Sequence, residues 1–326
     1  MKIELTPILV FGFNRPNTLM RQLARLDKLE RRDIWVAIDG PTNFSAPLQQ
    51  ECIEVTTKWE SRSHHKIQIH VQQNNLGLHR HFITMFELFF NRFEIGIILE
   101  DDIEFRKEFI NFVDSNQDIL KSEGCWSISG HNPLVRRDLM NRDVNATINF
   151  QKTNIHTIWG WATNRGQIAK FLEVTQVEYS WLKILLGIKQ FAKNTSRDPA
   201  LRSGIEATWL RKSIRAKGLD SGGWDNWWVV AGWISGRYSL QPNFSLCRES
   251  ILQDEGQSHP HVKKGINWPE FDRLIPLNIS GNTININKNE EIEKLRIWGI
   301  TRKYCWANIL RIKKDFKKIT QNLIGT

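Results

Sequence analysis

Four apolar runs punctuate the first hundred residues, and most of them stop abruptly at polar or charged positions. P-I-L-V-F-G-F (residues 7–13) reads as a buried strand that runs into Asn14-Arg15-Pro16. Leu19, Leu23, Leu26 and Leu29 follow at steps of four and three, the spacing of one helix face. I-W-V-A-I repeats the strand theme as far as Ile38 and halts at Asp39 and a Gly-Pro turn, and I-Q-I-H-V (67–71) is a third short strand. From His79 to Phe93 the phenylalanines Phe82, Phe86, Phe89, Phe90 and Phe93 share an apolar helix face. Gly96 to Leu99 is a fourth strand, followed at once by Glu100, Asp101 and Asp102. Unbroken apolar strands belong to sheets covered on both faces. The order strand, helix, strand, strand, helix, strand therefore predicts an α/β protein with a mainly parallel sheet flanked by helices.

The three acids pose a chemical question. Packing does not collect like charges, whereas a cation, or sugar hydroxyls in need of acceptors, would. The bland alternative is a solvated turn after a strand. Three strands end in polar residues, at Asn14-Arg15, at Asp39 and at Glu100-Asp101-Asp102. Such convergence on the carboxyl edge of an open sheet is where α/β proteins place ligand sites.

Composition narrows the setting. Apolar content of 40% and charged content of 25% are those of a globular protein, and no apolar run approaches the ~20 residues of a membrane span. The N-terminus, interrupted by Glu4 and Pro7, reads as a first strand and not as a signal peptide. Cys52, Cys125, Cys247 and Cys305 are far apart, without C-x-x-C, which suits a reducing cytoplasm better than a disulfide framework or a zinc site. A net charge of +10 points to an anionic partner. Residues 301–318 carry seven Lys/Arg against Asp315 alone, with Cys305, Ile309, Ile312, Phe316 and Ile319 at helical steps. This basic amphipathic tail either lies on an anionic membrane or packs its apolar side on the domain. Residues 265–287 form the tie between core and tail. Neither a P-loop nor a G-x-G-x-x-G fingerprint occurs, and there is no G-x-S-x-G elbow or H-E-x-x-H.

Further along come C-W-S-I-S-G-H-N, W-G-W, and G-G-W-D-N-W-W. Taken in order with the strand ends at Arg15 and Asp39, His79 at a helix start and the E-D-D run, these stretches resemble a GT-A fold glycosyltransferase. They are closest to the N-acetylglucosaminyltransferase I family and to bacterial surface-polysaccharide transferases, over about 250 residues from Pro7 to His259. The resemblance implies a GT-A (Rossmann-like) domain over residues 1–264. Its nucleotide-sugar half would be 1–130 and its acceptor and catalytic-base half 131–264, followed by a C-terminal extension, 265–326, with the basic helix. Two departures stand out: the stretch from Tyr179 to Ser221 has no counterpart, and no stem or membrane anchor precedes the domain. The latter favours a bacterial, cytoplasmic enzyme, peripheral on the inner face of the plasma membrane.

A nucleotide-sugar donor loses a pyrophosphate, and a cation with oxygen ligands absorbs the charge that develops. Mn²⁺ or Mg²⁺ is the expected cofactor, with Asp102 as its first ligand. The resemblance adds His259 as a second ligand, although His261 lies close by. It assigns Glu100 and Asp101 to ribose and sugar hydroxyls, and Arg15, Asp39 and His79 to the nucleotide. Arg15 and Asp39 can equally pair with each other, and a histidine at a helix start needs no function. Asp225, among Trp224, Trp227 and Trp228, matches the catalytic base of an inverting transferase, where a dry setting would raise its basicity. The neighbouring rings, Trp224 included, offer faces for sugar stacking. The alternative is a helix-capping Asp amid core tryptophans.

The expected activity is metal-dependent transfer of a hexosyl group with inversion. The donor would be a UDP-sugar, UDP-GlcNAc by default, and the acceptor a saccharide or lipid-linked saccharide. A sugar nucleotidyltransferase shares the sheet and the acids but expects a Gly-rich first turn that G-F-N-R-P lacks. A basic module binding membrane or nucleic acid is the other class. Nucleic acid is disfavoured because the positive charge gathers in the tail and not across an aromatic face.

Overall fold

The computed structural model describes residues 4–133, 148–176, 178–218, 223–250, 279–284 and 288–297. The first strands follow the apolar runs: β1 is Ile8–Gly12, β2 Asp33–Ile38, β3 Lys66–Val71 and β4 Ile95–Glu100. They are joined by helices α1 (Pro16–Leu26), α2 (Ala46–Glu60) and α3 (Gly77–Arg92). Helix α2 replaces the direct strand-to-strand step read from the sequence. Its inward positions are Gln49, Cys52, Thr56 and Trp59, so two polar residues interrupt the apolar stripe that would have revealed it.

The second half continues with β5 (Ile103–Phe105), α4 (Lys107–Ser115), α5 (Gln117–Lys121), β6 (Cys125–Ser129), β7 (Ile148–Thr153) and β8 (Trp161–Asn164). Helices α6 (Arg165–Thr175), α7 (Trp181–Thr195), α8 (Pro199–Gly218) and α9 (Trp224–Ile234) come next. After them stand β9 (Tyr238–Pro242), β10 (Cys247–Glu249), β11 (Ile279–Ile284) and α10 (Lys288–Ile297). Among the described residues, nine strands form one mixed, mostly parallel sheet in the order β11-β7-β9-β6-β8-β4-β1-β2-β3. β3, β2, β1 and β4 are mutually parallel, and β8 runs antiparallel between β4 and β6. β10 pairs with β5 in a separate two-stranded ribbon.

The period of two along each strand splits the core. Ile8 and Val10 pack with Leu19, Leu23 and Leu26 of α1 and with Cys52 and Trp59 of α2. Leu9 and Phe11 pack with Phe82, Phe86 and Phe89 of α3 and with the tryptophans of α9 on the other face. A strand buried on both sides has no polar position to spare until it leaves the sheet, which is why polar side chains gather at the strand ends.

Strands from both expected halves, and one from the expected extension, share one sheet. β8 and β9 interleave with β4 and β6 in a single sheet, and β11, from the expected extension, pairs with β7 at its edge. Helix α10 is anchored as well. The Glu291 carboxylate accepts from the Asn154 N–H at 2.7 Å and from Thr153 Oγ1–H, and Lys294 Nζ donates to Gln241 Oε1 at 2.7 Å. Burial pushes the Lys294 amine down to about 8, against the pull of Glu290 and Glu291. The basic stretch 301–318 and His259 lie outside the described residues. Glu291→Ala leaves the Asn154 amide without its acceptor, and should lower stability by about 1–3 kcal/mol in urea unfolding.

Candidate active site

The order β3-β2-β1-β4 turns back between β1 and β4, a switch point of the kind beyond whose carboxyl ends open α/β sheets place ligand crevices. Phe11 is the register partner of Glu100 across it, so Arg15, just past β1, faces the acids just past β4. The Arg15 guanidinium forks onto Asp101, with Nη2 on Oδ1 and Nε on Oδ2, the latter at 3.2 Å. Its Nη1 donates to Asp102 Oδ2 at 2.8 Å. Arg15 therefore pairs with the E-D-D run and not with Asp39.

The remaining acid of that run has no such partner. The Glu100 carboxylate makes no hydrogen bond or ion pair with a described residue. Burial raises its pKa well above the carboxylate range, Asp102, Asp101 and Asp225 raise it further, and Arg15 only partly opposes them. Burial also drives Asp101 up to about 7 despite the Arg15 fork.

Asp225 approaches from the other side. Gly223 is the N-cap of α9 and Asp225 the second residue of the helix, so it does not cap. Its Oδ1 lies only 1.9 Å from where a Cβ on Gly223 would sit, so the carboxylate folds back over this glycine. It is close enough to Glu100 to raise that acid's pKa and close enough to Lys212 of α8 to oppose the lowering of its pKa by burial. The Lys212 ammonium itself sits 4.4 Å from the centre of the Trp209 ring. Sequence reasoning misses Lys212, since it is one of many basic residues on a helix with no apolar pattern to orient it.

Aromatic packing holds Asp225 in place. Phe11 stacks on Phe82 (3.8 Å between centroids, 6° between planes), and Phe82 stacks on Trp224 (4.5 Å, 16°). Trp227 and Trp228 are buried as well. This corrects the expectation of sugar stacking: the ring of Trp224 is 2% exposed and committed to the core, as are its two neighbours.

Asp39 is also committed within the protein. Oδ1 accepts from the N–H groups of Gly40 (2.8 Å) and Leu76 (2.9 Å), and Oδ2 from Gly77 N–H (3.0 Å) and Asn75 Nδ2 (3.3 Å). Four donors fill a carboxylate's usual acceptor capacity, so no place remains for uracil or ribose. The carboxylate instead satisfies the open amides at the start of α3. Gly40 is required there, because a Cβ would fall 2.1 Å from the Asn74 carbonyl carbon. His79 lies half-buried in the first turn of α3. It is His81 that faces Asp39, Nδ1 to Oδ1 at 3.9 Å, and burial lowers its pKa.

The C-W-S-I-S-G-H-N and W-G-W motifs meet where the Gly130 N–H donates to Gly160 O at 2.7 Å. His131 is buried against the Trp159 ring, and burial lowers its pKa to about 4.

A divalent cation fits the strand-end cluster by charge. Four acids, Glu100, Asp101, Asp102 and Asp225, stand against Arg15 and Lys212, and the unpartnered Glu100 supplies hard oxygen donors of the kind Mn²⁺ and Mg²⁺ prefer. Among the described residues the tightest ligand-type grouping lies elsewhere, at Asp27, His64 and His65. There His65 has both ring nitrogens in use, toward the Arg32 N–H and Leu26 O, and the Asp27 Oδ1 accepts from Trp59 Nε1 at 2.7 Å. Those bonds describe a loop clasp and not a metal centre.

The cluster carries two pH signatures. Glu100 binds its proton more tightly in the fold than in the unfolded chain, whose carboxyl titrates near 4.3, so its contribution to stability falls as pH rises above about 4. Glu100→Gln should remove this loss and melt higher than the parent at pH 8 while differing little at pH 4. Arg15→Gln acts in the opposite sense. With Asp101 and Asp102 unpaired it should cost on the order of 3–5 kcal/mol at pH 8 and less at pH 5, where Asp101, whose pKa burial already raises, takes up a proton more readily. Thermal melts across that range check both.

Neither a known family model nor a curated protein sequence matches the chain, so the reading of the site rests on its own residues.

Proposed function

We propose that the chain is an inverting, metal-dependent glycosyltransferase of GT-A type. It would move a hexosyl group, GlcNAc from UDP-GlcNAc by default, onto a glycan or lipid-linked saccharide in cell-surface polysaccharide synthesis. The observation that carries the reading is the meeting of two groups across the switch-point crevice: the Arg15–Asp101–Asp102 cluster with Glu100 on one side, and Asp225 on the other.

In this reading the acceptor hydroxyl oxygen attacks C1 of the donor sugar, forming the new glycosidic bond as the bond from C1 to the phosphate oxygen breaks. The hydroxyl proton passes to an Asp225 oxygen, and the electron pair leaves with the nucleoside diphosphate. A bound Mn²⁺ or Mg²⁺ would offset the charge on that diphosphate, held by Asp102 and Glu100. Arg15 leaves Asp102 one oxygen free of its own contact and keeps the two aspartates from repelling each other out of position. Asp101, clasped by the fork, orients Arg15. Asp39 acts through α3 as a positioning residue, and the buried Trp224 fixes the height of Asp225 in the crevice.

A thermal-shift panel of nucleotide sugars with and without Mn²⁺ tests donor and metal together, because ligands stabilise only the state that binds them. A UDP-sugar should raise the melting temperature in a metal-dependent way, and full turnover in EDTA would sink the metal requirement. Mn²⁺ affinity should rise with pH, since cation binding must displace the proton that Glu100 otherwise retains. Asp225→Asn should lose about 10²–10⁴-fold in turnover with donor affinity little changed. With a UDP-α-sugar the product linkage should be β by NMR, and an α linkage would deprive Asp225 of its role.

A further inference from the structure

Helix α7 turns an unusual face to solvent. Ile184, Gly187, Ile188, Phe191, Ala192 and Thr195 point inward. Outward, Leu182 and Leu186 are 64% and 56% exposed, and Trp181 beside them is 39% exposed. The same outer stripe continues through the exposed Lys189 and Lys193, since steps of four, three and four keep these positions in line along the helix. The helix carries no acid, and neither Lys189 nor Lys193 forms an ion pair among the described residues. One half of the stripe is thus apolar and the other cationic. The surrounding segment strengthens the asymmetry: residues 181–218 hold nine Lys/Arg against Asp198 and Glu206, most of the chain's net charge of +10.

We propose that α7 seats the protein on an anionic lipid bilayer, lying in the interfacial plane. Leu182, Leu186 and Trp181 enter the boundary between headgroups and acyl chains, while Lys183, Lys189 and Lys193 meet lipid phosphates. Amphipathic helices with cationic polar positions and exposed leucine and tryptophan bind in this way. Among the described residues no helix is long and apolar enough to cross a membrane, so contact is from one side. Charge selects the occupant. A second copy set face to face would bring lysine against lysine, and the chain's own stretch 301–318 is as basic as α7 itself. Lipid phosphate is complementary to the lysines, and the acyl boundary takes up the leucines.

The test is sedimentation of the full chain with phosphatidylcholine vesicles containing about 30 mol % phosphatidylglycerol, against phosphatidylcholine alone. Binding should need the anionic lipid and weaken with salt. Each lysine near the surface contributes about fivefold to the partition constant, so Lys189→Glu with Lys193→Glu should weaken binding by roughly 10²-fold or more. Leu182→Ser with Leu186→Ser should weaken it at low salt too, and quenching of tryptophan fluorescence by brominated acyl chains should drop in Trp181→Phe. Leu182, Leu186, Lys189 and Lys193 are solvent-facing, so circular dichroism and melting temperature of the two double variants should stay at the parent values. Parent-like vesicle binding by both double variants, with loss only on deletion of residues 301–326, would overturn the proposal. So would a parent protein that ignores anionic vesicles, or leucine variants whose only change is the loss of a dimer in solution.

Discussion

One guanidinium holds the strand-end cluster together. β1 and β4 are adjacent and parallel, so the residues just past their carboxyl ends are brought face to face, Arg15 on one side and three acids on the other. Without Arg15, Asp101 and Asp102 would each be a carboxylate lifted from water with no counter-charge, and the turn after β4 would have to open or take up protons. With it, two of the three acids share one ion-pair partner and Glu100 is left over. The leftover carboxyl is the group that a cation, in the reading proposed above, would have to deprotonate and bind. A fully neutralised cluster would be merely a structural knot.

A second constraint sets the opposite wall. Asp39 binds the open amides at the start of α3, α3 carries Phe82, and Phe82 stacks between Phe11 of β1 and Trp224 of α9. Through this series of contacts the end of β2 determines where α9 begins, and therefore where Asp225 stands. Asp39 thus contributes to the crevice without touching its contents. Three rings in two stacks and four hydrogen bonds leave little freedom for a sliding motion of α9, because close-packed aromatic interiors resist displacement.

The parallel half of the fold was legible because β1, β2 and β4 are covered on both faces, which writes each as an unbroken apolar run, while the edge strand β3 alternates. α2 escaped because Gln49 and Thr56 take inward positions and hydrogen-bond there, to Asp39 O and Cys52 O. The insertion of β8 antiparallel beside β4 could not be read either, since W-A-T-N is four residues long and carries no mark of its partner. Of the site, the polar strand ends were plain and their partners were not. The Arg15 pairings bridge 86 and 87 positions, a separation over which no local pattern speaks. Trp224 misled for a related reason: a tryptophan beside an acid reads the same whether its ring meets a sugar or another ring.

Helix α8 brings the two halves of the electrostatic picture together. Its segment belongs to the most basic part of the described chain, yet its Lys212 turns toward Asp225 and the acidic crevice. Both α8 and α9 pack against α7. If α7 rests on lipid as proposed, the crevice is tied to the bilayer through directly packed helices. An acceptor carried on a lipid would then need to travel only along the membrane plane, and its sugar would be presented from the side on which Asp225 stands. The acidic crevice would itself be repelled by an anionic surface, so the basic layer between them also fixes which way the molecule faces. Orientation on the membrane and charge at the site are, in this view, consequences of the same uneven distribution of lysines and acids along one chain.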